Sequence, residues 1–136
     1  MNLSDRIQPG MTKEQSYPVA EENAALTVGS GGSRVLATPW MIAFMERVSH
    51  RLLCEHLPEG WSSVGIEVDV RHLAPTPVGS TVQVRCRVRE VDGLRVLFEV
   101  EAWDAVEKVG EGLHRRMAID EARFLRRVNA KREAIG

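Results

Sequence analysis

Two ionisable side chains sit where their neighbours call for apolar ones, and their types are those of a proton-transfer pair. On a helix turning about 100° per residue with Ile42 at zero, Arg47, Arg51 and Glu55 fall at roughly 140°, 180° and 220°, a solvent stripe. Glu46 falls at roughly 40°, between Ile42 and Leu53, so the wheel aims its carboxylate toward the core. A charge there is costly unless paired or protonated. His72 continues the parity of Val64, Ile66, Val68 and Val70, which turns its imidazole onto the apolar side of a strand. A lone inward Glu or His is commonly a satisfied structural group. An acid and a base on facing surfaces are equipped for general acid and base work.

Thr38 is the third candidate. It precedes Pro39, and the residue before a proline is pushed out of the α region. That suits an N-cap, whose hydroxyl would satisfy a free backbone N–H, with proline at the first helical position. Eight residues of helix put Thr38 roughly 12 Å along the axis from Glu46, too far for contact within one helix. Both serve one site only if two copies of the helix meet antiparallel, so the spacing predicts a homodimer.

The elements that must hold these residues follow from periodicity. Met1 to Gly32 reads as a polar lead-in with one strand-like segment at Gln15–Val19, and Gly29, Ser30, Gly31, Gly32 and Ser33 as a mobile loop. No GK[ST] follows, so it is not a phosphate-binding loop. A long helix runs from Thr38 to about Leu57, where Pro58, Glu59 and Gly60 stop it. Val64, Ile66, Val68, Val70 and Ala74 then share one parity of a half-buried strand. Val82, Val84, Cys86 and Val88, the Asp92-Gly93 turn, and Val96, Phe98, Val100 and Ala102 make a hairpin with arginines facing glutamates on its outer side. A last strand covers Lys108 to Ile119, and a basic helix Glu121 to Ile135. The order predicts an α+β domain over residues 1–136, one helix against four strands in meander.

Composition narrows the partners. The 136 residues suit one compact core. A net charge of −1 gives no electrostatic reason to bind nucleic acid or an anionic membrane. The longest apolar stretch, Val35 to Met45, is broken by Thr38 and Pro39 and falls short of a bilayer span. The first ten residues lack the basic and apolar regions of a secretory signal, so the expected location is cytoplasmic. Cys54 and Cys86 lack CxxC spacing, which predicts no metal site and two small core residues.

The runs VLATPWMIAFMERVSH, SVGIEVDVRHLAPTPVGSTVQV and GEGLHRRMAI, spanning Val35 to Ile119, resemble the hotdog-fold thioesterases, in particular their fluoroacetyl-CoA thioesterase-like branch. The resemblance implies an antiparallel sheet wrapped around one long central helix, dimeric through edge-strand pairing. It implies catalytic roles for Thr38, Glu46 and His72, and substrate-binding roles for Gly65 and Arg116. The implied substrate is an acyl-CoA thioester, coenzyme A being part of that substrate, with no further cofactor and a homodimer or higher assembly. Arg116 and the basic terminal helix are candidates for the phosphates of coenzyme A. The chain departs from the branch before the long helix. Its fluoroacetyl-selective member carries aromatic residues there, whereas this chain has Val28, Gly29, Ser30, Gly31, Gly32 and Ser33, which predicts a wider acyl range. The rival readings are a noncatalytic acyl-CoA or small-ligand binding protein of the same fold, and a structural protein in which Glu46 and His72 form a buried polar contact. A hotdog hydratase would show a motif such as GDxNPxH, and none occurs.

Overall fold

The computed structural model describes residues 1–136. Five antiparallel strands form one sheet: β1 (Thr12–Pro18), β2 (Trp61–His72), β3 (Thr81–Asp92), β4 (Arg95–Trp103) and β5 (Lys108–Asp120). A short helix α1 (Ala25–Val28) leads into the long helix α2 (Thr38–His56), and α3 (Glu121–Ile135) closes the chain. The sheet wraps α2, whose Met41, Phe44, Met45, Val48, Leu52 and Leu53 are buried at the spacing of one helical face. Their counterparts are Val82, Val84, Cys86 and Val88 of β3 and Val96, Phe98, Val100 and Ala102 of β4, all buried as their alternation predicts. On the outer side Arg85 pairs with Glu101 at 2.8 Å, as expected of the hairpin.

The sheet order is β1-β3-β4-β5-β2, so only β3, β4 and β5 form the expected meander. The chain crosses between His72 and Thr81, which carries β2 to β5 and leaves β3 free to pair with β1. Both ends of the order are edges, and β2 is one of them.

Within β2 the single parity expected from the sequence breaks. A bulge lies between Gly65 and Glu67. On one side of it Ser63 is buried and Gly65 faces α2; beyond it Val70 packs on the core and His72 reaches α2. The extra residue of a bulge reverses which side chains face inward. Val64 and Ile66, assigned to the core with Val68, therefore leave it, and Ile66 and Val68 are 44% and 42% exposed.

The amino-terminal segment is also more structured than its polarity suggests. Leu3, Ile7, Tyr17 and Val19 belong to the main core, and Tyr17 stacks on Phe44 with ring centroids 4.4 Å apart. Tyr17 and Val19 lie in the strand-like segment expected there, whereas Leu3 and Ile7 are a single apolar pair, too short a run to show a period. Of the cysteines, Cys86 is buried as expected, but Cys54 is exposed.

Gly112 sets the approach of β2 to β5. A Cβ there would lie 2.2 Å from the Asp69 carbonyl oxygen and 2.5 Å from the Val70 Cα, both backbone atoms that cannot swing aside. Gly112→Ala should therefore destabilise the fold by about 3 kcal/mol, the upper range of overpacking. The measurement is the urea midpoint, and a midpoint equal to the parent's would contradict this packing.

Candidate functional site

The five residues singled out in the sequence fall into two groups on opposite stretches of α2. The first lies at its amino-terminal end. Thr38 is already within the helix, not at the cap: the capping position is Ala37 and no side chain caps the helix. The Thr38 hydroxyl instead bonds His72 Nδ1 at 2.8 Å. The alternation of β2 beyond its bulge brings the imidazole up beside the helix start. A shallow hollow of about 350 Å³ opens there, lined by Thr38, His72, Leu36, Ala74 and, from the glycine-rich loop and the short helix before it, Ser30 and Ala25. Burial depresses the His72 pKa, partly offset by a hydrogen bond to the Ala74 backbone, and favours the neutral ring. Its Nε2 is buried without a partner in the chain.

The second group lies two turns along α2. Glu46 is not sunk in the core; its side chain is 42% exposed on the flank facing β2. One carboxylate oxygen lies 3.6 Å from Arg116 Nη1, and the same oxygen would stand 2.8 Å from a Cβ at Gly65. The missing side chain of Gly65 is thus the space the carboxylate occupies, with His114 and Arg116 at 3.2 and 3.3 Å from that point.

Arg116 faces inward from β5 and is 6% exposed. Its Nε donates to Ser63 Oγ at 3.0 Å, its Nη2 to the Ser63 carbonyl at 3.3 Å, and its Nη1 to His114 Nε2 at 3.1 Å. Instead of reaching out to a substrate phosphate, the guanidinium lies beneath Glu46. Behind it His50 Nδ1 bonds Ser63 Oγ at 2.8 Å, and the ring lies 3.5 Å from Cys54 Sγ. Burial lowers the pKa of His50 and of His114, and Arg116 lowers both further.

The pattern reading missed Ser63, His50 and His114. The inward side of β5 reads Gly110, Gly112, His114, Arg116 and Ala118, poorer in large apolar residues than the outward Leu113, Met117 and Ile119. Hydrophobicity therefore points to the wrong side of this strand. The available signal was His and Arg two residues apart, sharing parity with a pair of strand glycines.

The structure brings Thr38 to His72, and Glu46 to Gly65 and Arg116. It makes no contact between the two groups within one chain. No cluster of three metal-ligating side chains occurs, and no helix is long and apolar enough to cross a membrane.

Residues 19–122 match the family described as fluoroacetyl-CoA-specific thioesterase. The fluoroacetyl-CoA thioesterase of Streptantibioticus cattleyicolor is 34% identical over 128 residues, covering 94% of this chain and 88% of that protein. A solved structure of the fluoroacetyl-CoA thioesterase FlK superposes with a TM-score of 0.85 at 29% identity, covering 92% of this chain and 97% of the other. A Thermus thermophilus protein of the thioesterase superfamily gives a TM-score of 0.84 at 28% identity, covering 94% and 97%.

Three partly or largely buried imidazoles with depressed pKa values tie stability to pH. The unfolded chain takes up protons near pH 6.5, where the folded imidazoles of His50, His72 and His114 remain neutral. Between the folded and unfolded values the unfolded state binds more protons, so stability falls as pH drops below about 6.5. Urea unfolding at pH 7.5 and 5.5 should give a lower midpoint at the acid value; an equal or higher midpoint there would contradict the buried, neutral rings.

Proposed function

The chain belongs to the fluoroacetyl-CoA-specific thioesterase family, and from that premise we propose that it hydrolyses acyl-CoA thioesters in the cytoplasm at a site shared by two copies of the chain. The observation that carries this reading is the Glu46 carboxylate, fixed from below by Arg116 at 3.6 Å, given room by Gly65, and still 42% exposed. A carboxylate that served only to neutralise a buried cation would be covered; in the single chain this one keeps an open side.

The division of labour follows from the chemistry of each group. Glu46 attacks the thioester carbonyl carbon itself or takes the proton from the water that does. In either route the C–S bond breaks and coenzyme A departs as its thiol; where Glu46 itself attacks, water then hydrolyses the acyl–glutamyl anhydride and frees the carboxylate. The amino-terminal end of α2, where the helix dipole is positive, stabilises charge developing on the carbonyl oxygen, while the Thr38 hydroxyl donates to His72 Nδ1 and so leaves the ring's proton on Nε2. His72 supplies a proton to the leaving sulfur, and its buried Nε2 is the nitrogen without a partner in the chain. Water is the only other reactant.

Thr38 and Glu46 are roughly 12 Å apart along one helix, so one acyl group meets both only when a second copy lays its α2 antiparallel beside the first. The edge strand β2, with Ile66 and Val68 exposed, supports pairing with that copy. The glycines and serines of residues 29–33 support a loose mouth, and hence acyl groups longer than two carbons accepted at least as well as fluoroacetyl.

Thiol release from a panel of short, medium and aryl acyl-CoA esters tests the activity. Glu46→Gln should lower turnover by about a hundredfold or more while the protein remains folded. Wild-type turnover in that variant would remove Glu46 from the chemistry, and a parent protein that cleaves no thioester would overturn the reading in favour of a binding protein. Light scattering should give at least twice the chain mass of 15.2 kDa. A stable, active monomer would contradict the shared site.

A further inference from the structure

Resting on the reading that Glu46 is the working carboxylate, we infer that His114 is a positioning residue: its neutral ring, protonated on Nδ1, holds Arg116 against Glu46, and its protonation releases that arginine and switches the site off in acid. His114 is 1% exposed, with Nδ1 at 2.8 Å from the Glu67 carbonyl oxygen and Nε2 at 3.1 Å from Arg116 Nη1. A carbonyl oxygen only accepts and a guanidinium only donates, so Nδ1 carries the proton and Nε2 offers its lone pair. One tautomer satisfies both contacts.

The surroundings leave the ring no alternative. From β5 it faces Arg116, from α2 the Glu46 carboxylate, and from β2 the Glu67 carbonyl, while the Glu67 side chain turns away to Arg115 at 3.5 Å. Across β4 its partner in register is Phe98. His50 is held off behind Ser63.

A second proton on Nε2 would turn the acceptor into a donor aimed at a cation. The Arg116–His114 bond would be lost, and with it one of the contacts that hold Nη1 beside Glu46. Arg116 would keep Ser63 as its partner, so the guanidinium would swing and not leave. Burial and the neighbouring arginine both oppose that proton, which sets the switch below the ordinary histidine range.

The test pairs two variants with one spectrum. In His114→Gln the side-chain carbonyl can still accept from Arg116 but does not titrate. Its kcat near pH 8 should stay within about threefold of the parent, and the acid limb of its pH profile should move to lower pH. His114→Leu removes the acceptor and should lower kcat about tenfold or more with little change in KM. Nitrogen-15 histidine spectra of the parent, with His114 assigned by its absence from His114→Gln, should show Nδ1 protonated and Nε2 bare at pH 7, and the Arg116 Nε–H signal should shift as that ring titrates.

An acid limb in His114→Gln that superimposes on the parent's would overturn the switch. So would a ring protonated on Nε2 at pH 7, and that readout needs no catalysis and no altered fold. If the parent cleaves no thioester, the functional reading fails while the spectrum still decides the tautomer. If thioesters are cleaved and the spectrum or the glutamine profile disagrees, only the role of His114 fails.

Discussion

A buried guanidinium is the constraint around which this chain is arranged. Arg116 keeps its charge at any ordinary pH, and a cation largely removed from water must find acceptors or destabilise the fold by several kcal/mol. Its hydrogen-bond acceptors are Ser63 on the neighbouring strand and His114 two residues away, and its ion-pair partner at 3.6 Å is the carboxylate of Glu46 on the helix. Each comes from a different point in the chain, so satisfying the arginine fixes the register of β2 on β5 and the seating of α2 on both. The same contacts hold Glu46 steady while leaving its outer side open. The fold and the candidate site thus draw on one set of contacts here.

The bulge in β2 is what lets one strand serve two ends of the helix. Before it, the inward positions are Ser63 and Gly65, one an acceptor for Arg116 and the other a space for Glu46. After it, the inward positions include Val70, which packs on the core, and His72, which meets Thr38. An unbroken strand could present only one of these sets, because alternate residues face opposite ways.

Much of the architecture was legible in the sequence because it rests on strong periodicities. The long helix, the β3–β4 hairpin with its charged outer side, β5 and α3 all lie close to where alternation or helical spacing put them. The placement of Arg47, Arg51 and Glu55 in solvent was legible too. What escaped depends on pairing between distant segments. The bulge at Gly65 to Glu67 leaves no mark on a hydropathy pattern, so Val64 and Ile66 were placed inside. The crossing of β2 to β5 hid the edge position of that strand. In the site, the types Thr, Glu and His were readable from pattern and resemblance. Their partition into two groups, the burial of Arg116 and the supporting Ser63, His50 and His114 appear only once β5 lies beside β2 with its less apolar side inward.

The sheet order also bears on how the molecule comes together in time. The β3–β4 and β4–β5 hairpins join residues close in sequence and can form quickly, but Arg116 and Ser63 are 53 residues apart. Before that pairing the chain must close a long loop containing β3 and β4, and the apolar residues of β2, split between its two faces, give it little amphipathic preference to guide its register. On loop closure alone, docking of β2 follows the two hairpins, and the backbone match at Gly112 and the buried arginine select its register. A chain with only these hairpins formed would leave Arg116 without its Ser63 acceptors and His72 away from Thr38, so both groups of the candidate site wait on β2.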